Sequence, residues 1–462
     1  MSFTRRTLLI GAGAGLTVLA VAACTDVTPT PTSSPTPRPD RVPAPASFAR
    51  SNWAADPFAR GAVSYQPVDS LPESRVALRA SLDDRVFFAG EATSDEPGTI
   101  SGAVSSGVRA AREVLDVVDD GERVAIIGAG AAGAAAARLL TNLGVDTIIV
   151  EARDRVGGRI DSRTTGDGVS YELGAWKLGV EADSAVIAAL DDLNIGTVTL
   201  AGDLVAEPVG AIALADLAAA QVQTATALAT WAAAQTADAS IASALEESGA
   251  ATAVGDLPAD AAGAIYAEAV RVAAGAQADA VSTWFPPASI GADSALPVGE
   301  LSAFVTADLD GVTLALSTAV VGVAHDDDGV SLRLGSGESI KVDRVIVTVP
   351  LGVLQAGTIE FDPTLPLSMR AAINSLGVGQ VEIVRVGFDE PFWTTDAVVW
   401  SLAGTLSDGA DTTIGTWINL QPLTGEIALI GIAAGDAAAS LKKVSDDALA
   451  AMVREQLEPF AD

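Results

Sequence analysis

Glycines at 128, 130 and 133, followed eighteen positions later by Glu151, have the spacing of a dinucleotide site. In such a site glycines let the backbone turn tightly against a pyrophosphate, a helix N-terminus meets the phosphate charge, and an acidic side chain accepts from ribose hydroxyls. That chemistry needs particular elements to position it. Arg123-Val-Ala-Ile-Ile predicts a strand running into Gly128, the glycine turn opens a helix, and Asp146-Thr-Ile-Ile-Val predicts a second strand ending on Glu151. A glycine triplet alone is weak; strand, turn, helix, strand and acid in register are strong. More than a hundred residues precede this unit, and they do not read as a separate domain.

Lys+Arg 27 against Asp+Glu 59 gives the 462-residue chain a net charge of −32. So acidic a surface argues against nucleic acid as a partner. It could draw in cationic substrates, although a solubilising surface is the simpler reading. The length suits two intimately packed domains. Cys24 is the only cysteine, and the only histidine, His325, lies in an Ala-His-Asp-Asp-Asp-Gly run that reads as an exposed hairpin turn. Zinc and Ser-His-Asp chemistries are thereby excluded, as are a disulfide and a thiol catalyst; no metal site is expected.

Residues 1–24 read as an export signal: Arg5-Arg6, an uncharged run from Thr7 to Ala23, then Val21-Ala-Ala-Cys24. The paired arginines point to export of a folded protein, and the small residues before Cys24 resemble a bacterial lipoprotein cleavage site. The expected location is the cell envelope, lipid-anchored through Cys24 to the outer face of the cytoplasmic membrane. Residues 25–47 are a Thr/Pro/Ser-rich tether.

Beyond the tether, Asp84 to Ala89 predicts a strand, Gly90-Glu-Ala-Thr93 follows it, and Gly98 to Gly107 leads into a helix reaching Leu115. Asp116 to Glu122 links this helix to the dinucleotide strand. Residues 181–280 are Ala-rich with helical periodicity and predict packed helices. Strands are expected from Leu314 to Val323, Gly329 to Leu334, Asp343 to Pro350, Val381 to Phe388 and Ile427 to Ala433, and a helix from Ser445 to Leu457.

These motifs together resemble the flavin-dependent amine oxidase family of monoamine, polyamine and L-amino-acid oxidases. The resemblance rests on the Gly128 turn, Glu151-Ala152-Arg153, Gly157-Gly158-Arg159, Glu172-Leu-Gly174-Ala175-Trp176 and Val349-Pro350-Leu-Gly-Val-Leu354, with Phe388 to Trp393, Gly90 to Thr93 and Gly102-Ala103. It implies an α/β fold: a Rossmann-like FAD-binding domain of the GR2 type, from residues 48–180 plus 285–355, and a mixed α+β substrate domain, from 181–284 plus 356–462. The order is rotated. Trp53-Ala-Ala-Asp56-Pro57, Gly90 to Thr93 and Gly102 to Gly107 close the chain in this family and open it here. A circular permutant is expected, with 116–122 as the joint. A linker of roughly seven residues spans at most about 25 Å, which favours completion within one chain over a tail completing a neighbour's site.

The resemblance implies non-covalently bound FAD. Gly128, Gly130, Ala132 and Gly133 would cradle the pyrophosphate; Glu151, beside Ala152, would bind the adenosine ribose; Arg153 and Arg159, after Gly158, would flank the phosphates. Gly174, Ala175 and Trp176 would approach the flavin ring, Val320 the adenine, Gly90 and Glu91 the ribityl or phosphate region, and Thr99-Ile100 the pyrimidine end. The implied function is oxidation of a small amine or amino acid by hydride transfer to flavin N5, with imine hydrolysis and peroxide formed from oxygen. The family lysine that holds a water near N5 falls at Ile383, ten residues before Trp393. Lys177 is the candidate to replace it as a catalytic group, or is simply an exposed lysine beside Trp176. The His or Glu of polyamine oxidases becomes Leu178, and the cage tyrosine of monoamine oxidases becomes Thr99. A dehydrogenase or desaturase with another electron acceptor, or a catalytically silent flavin-binding lipoprotein, are the alternatives.

Overall fold

The parallel sheet predicted around Gly128 forms from five short aliphatic strands: β1 (Val86–Phe88), β2 (Arg123–Ile127), β3 (Asp146–Val150), β4 (Thr313–Ala315) and β5 (Arg344–Val347). Their order is β4-β3-β2-β5-β1, and every pairing is parallel. Parallel strands must be covered on both faces, and these alternate between two cores. Phe87, Ile126, Ile149 and Ile346 face helices α1 (Ile100–Leu115) and α2 (Ala131–Asn142). Val86, Ala125, Ile148 and Val345 face the antiparallel strands Val320–Asp326 and Gly329–Leu334.

The computed structural model describes residues 41–206, 210–287, 290–402 and 414–461. Arg5-Arg6, Cys24 and most of the tether lie outside the described residues. A second, seven-stranded sheet is built on β6 (Val381–Gly387), which pairs on one side with Ser47–Arg50 and on the other with Ala428–Ala434. Helices Leu214–Ala233, Ile241–Ser248 and α3 (Ala259–Ala274) pack beside it. The segment from Arg41 onward is one compact unit, so the strand at Phe48 joins the sheet of β6 while Gly90, forty-two residues later, follows the parallel sheet.

The 116–122 segment is pinned at its end. Glu122 accepts from Arg344 Nε at 2.8 Å and Nη2 at 3.2 Å, and Arg344 also donates to the Asp84 carbonyl. The residue that leads into β2 is thereby fastened to β5 and to the turn that leads into β1.

Three sequence expectations change. The strand expected from Leu314 to Val323 breaks at Ser317, whose φ is 52°, because the backbone leaves the sheet there to bond Arg153 and Glu151. The Ala-rich 181–280 region also holds strands Gly196–Thr199, Asp203–Ala206 and Gly210–Ala213. His325 is no turn residue: it lies within the strand Val320–Asp326, its side chain 4% exposed and 3.8 Å from Asp83.

Candidate active site

The C-terminal ends of β1, β2, β3 and β5 border a cavity of about 480 Å³. Ligands of open parallel sheets bind at such an end. Gly128 follows β2 with φ 109°, and a Cβ there would sit 2.6 Å from Thr348 Oγ1. Gly130 caps α2 and lines the cavity, with nothing nearer than 3.9 Å to a Cβ built on it. The amides of the first helical turn, at Ala131 and Ala132, have no acceptor inside the helix and border the same space. Gly133 corrects the sequence expectation. It does not line the cavity; a Cβ there would collide with the Gly128 carbonyl, so its role is to let α2 press on the turn.

Glu151 is buried at the end of β3. One carboxylate oxygen accepts from Ala129 N and the other from Arg153 N, both at 2.8 Å. Each oxygen keeps a lone pair for a further hydroxyl donor. Ala152, Val320 and the 318–321 backbone line the neighbouring wall. Arg153 donates to Asp56 at 2.7 Å, which draws the Trp53-Ala-Ala-Asp56-Pro57 segment to this end. Trp53 closes the floor, donating to the Leu173 carbonyl at 3.0 Å.

Arg159 and Glu91 meet each other. Arg159 Nη1 donates to Glu91 at 3.2 Å and to the Ala62 carbonyl at 2.8 Å. Glu91 also accepts from Ser64 N at 3.0 Å, Ser64 Oγ at 2.6 Å and Gly98 N at 2.9 Å. Arg75 donates to Ser64 Oγ at 2.8 Å. Burial alone would raise the Glu91 pKa, but Arg159, Arg75 and the Ser64 bonds outweigh it and hold the carboxyl below its usual range. Gly90, Thr99 and Ile100 line the cavity around this knot.

Gly174, Ala175 and Trp176 enter from the loop after Glu172, and Gly174 must be glycine because a Cβ would collide with the Arg159 carbonyl. Trp176, Val272 and Val381 pack on the apolar cluster that holds Ile383 and line the cavity with it, so this end is apolar. Lys177 and Ile383 both line it. The Lys177 ammonium lies 5.6 Å from the Trp176 ring centroid; burial pushes its pKa down, against the nearby charge of Asp183. Lys177 is therefore a cavity residue and not an exposed bystander.

These residues fit FAD. The open face at Gly130 beside the helix N-terminus suits a pyrophosphate, the free lone pairs of Glu151 suit ribose hydroxyls, and the long cavity ends on an apolar pocket. Sequence reasoning missed Ser64, Arg75 and Asp183. Asp183 accepts from Ser101 N and Gly179 N, both at 2.9 Å, and so ties the start of α1 to the Trp176 segment. No local pattern announces such residues, because their partners come from distant parts of the chain.

A family model described as flavin containing amine oxidoreductase matches residues 34–115, 131–208 and 282–462. Among curated proteins, polyamine oxidase 4 of Oryza sativa subsp. japonica is 28% identical over 356 residues, covering 72% of each chain. Polyamine oxidase 2 of Arabidopsis thaliana is 27% identical over 356 residues, covering 72% of this chain and 71% of its own. A solved triple mutant of putrescine oxidase, redesigned in its cofactor binding, superimposes with a TM-score of 0.54 at 19% identity, covering 72% of this chain and 81% of the other. That last likeness is one of fold.

Proposed function

The chain belongs to the flavin containing amine oxidoreductase family, whose cofactor is FAD, and from that premise we propose that it oxidises a small amine or amino acid to an imine, which water hydrolyses. Bound FAD would supply the hydride acceptor at N5 and the redox chemistry that returns the electrons to oxygen as peroxide. The chain's own part is positioning and exclusion of water. Gly130 and the α2 N-terminus would hold the pyrophosphate, Glu151 the ribose, and Arg153 and Arg159 the phosphate flank. Trp176, Val272, Val381 and Ile383 form a dry pocket for the substrate. Lys177 is the cavity group we assign to catalysis in place of the family lysine.

The observation that carries this reading is one cavity joining Gly130, Glu151, Glu91 and Arg159 to the apolar end at Trp176 and Ile383. The test is release of FAD on denaturation, then anaerobic mixing of the bound form with amines and amino acids. Bleaching by at least one of them is expected; absence of flavin, or bleaching by none, refutes the reading.

The rotated motif order is explained by circular permutation. It is supported by Gly90 and Thr99, ahead of the joint, lining the same cavity as Gly128 and Glu151 behind it. Export on the folded-protein route and lipid attachment at Cys24 suit an enzyme that loads FAD before crossing the membrane. One observation favours a second reading, a dehydrogenase with a non-oxygen acceptor: the wall position of the family lysine is the apolar Ile383, 1% exposed. Turnover with artificial acceptors but negligible peroxide would select it. A gain of oxygen consumption in Ile383→Lys would tie the difference to that position.

A further inference from the structure

We propose that Lys177 is a specificity-determining residue: its ammonium pairs with an anionic group on the substrate, so the site takes amines that carry a carboxylate in preference to diamines and polyamines. This rests on the amine-oxidising reading of the cavity given above.

The charges around the cavity are almost all spoken for. Glu91 accepts four hydrogen bonds, Glu151 two from backbone amides, and Asp183 two from Ser101 N and Gly179 N. Arg153 is paired with Asp56, and Arg159 with Glu91. Lys177 alone among the partly buried cavity cations makes no hydrogen bond or ion pair with any described residue. Arg60, the other cation without a partner, is exposed and lies against Gly352, away from the Trp176 pocket.

An ammonium taken out of water with no ion pair, Asp183 acting on it only from beyond ion-pair distance, is costly, and an anion arriving in the pocket would offset that cost. Lys177 is held at the apolar end by its contact over Trp176, whose neighbours are Val272, Val381 and Ile383. A substrate amine must enter this end, where a second ammonium would meet Lys177; of the lining carboxylates nearby, Glu91 is ion-paired, Asp183 is engaged by two backbone amides and Glu96 is exposed. A carboxylate would find one unpaired cation. Like charge excludes the polycation, and opposite charge admits the amino acid. The depressed pKa of the free ammonium agrees with this, since binding an anion would restore it.

The test uses the FAD-loaded protein as wild type and as two variants, Lys177→Met and Lys177→Arg. Benzoate, a carboxylate with no amine to oxidise, is titrated while the flavin spectrum is followed, so binding is read without turnover. Wild type should bind benzoate, Lys177→Arg should retain binding, and Lys177→Met should lose about thirtyfold or more in affinity, with FAD content unchanged. In parallel, L-leucine is compared with 3-methylbutylamine, its decarboxylated counterpart, and with putrescine in anaerobic bleaching. Wild type should favour leucine over both amines, and Lys177→Met should lose that preference. Equal benzoate affinity in Lys177→Met and wild type, or loss of FAD in Lys177→Met, overturns the proposal. If no compound bleaches wild type, the oxidising function fails, while the benzoate titration still decides the role of Lys177.

Discussion

Gly107 of α1 lies directly against Ala132 of α2: a Cβ on Gly107 would collide with the Ala132 carbonyl oxygen. The two helices therefore touch backbone to backbone, and α1, which follows Gly90 and Glu91, is pressed onto the helix whose N-terminus opens the dinucleotide turn. Gly107→Ala should destabilise the fold by about 2–3 kcal/mol, and Gly107→Val by more, because neither backbone can yield. Urea unfolding should show a lower midpoint at unchanged slope.

Gly130 and Gly133 are three residues apart and predict opposite outcomes. Gly130→Ala places a methyl in open space, at a φ of −81° that alanine adopts freely, so the fold should keep its stability. The methyl would stand where the pyrophosphate comes closest, and FAD affinity should fall by roughly tenfold or more. Gly133→Ala instead meets the Gly128 carbonyl and should unfold at markedly lower urea. Parallel measurements of urea midpoint and bound flavin separate the two.

The Glu91 knot should fail as a unit. Glu91→Gln removes the carboxylate that Arg159 and buried Arg75 share, leaving charge uncompensated in the interior. A loss of about 3 kcal/mol is expected, with a double-mutant cycle against Arg75→Met showing strong coupling. Additive single effects would mean that Arg75 does not act through Glu91.

Glu172 gives the stability a pH dependence. Burial pushes its carboxyl up to about 7, with Asp161 and Glu300 adding to the rise and bonds from Ser162 and Leu301 opposing it. The folded state thus holds this proton longer than the unfolded state, whose pKa is about 4.5. The contribution is full below about 4.5, declines as pH rises through the window to about 7, and is gone above it. Its size is on the order of 3 kcal/mol. Glu172→Gln should remove that slope from a plot of unfolding free energy against pH.

The dinucleotide turn was legible because its elements are contiguous: strand, glycines, helix and acid all fall between Arg123 and Glu151. So was the far half of the site, since Gly90 and Glu91 follow a strand that the sequence marks plainly. What escaped is tertiary. Ser64, Arg75 and Asp183 have ordinary local surroundings and acquire roles only from partners brought in by the fold. Gly133 belongs to a cofactor motif by spacing yet serves packing. The strands from Gly196 to Ala213 were hidden in an Ala-rich stretch, where they form by pairing with Ser294–Val298 and Val399–Ser401. His325 was misplaced because three aspartates after it suggested a turn that begins only at Asp327.

Anaerobic flavin reduction tests the central claim most directly. Protein carrying FAD, mixed without oxygen with a panel of amines and amino acids, should lose its oxidised flavin absorbance with at least one of them, at a rate that saturates with concentration. Flavin that stays oxidised across the whole panel, or protein that carries none, would contradict the account.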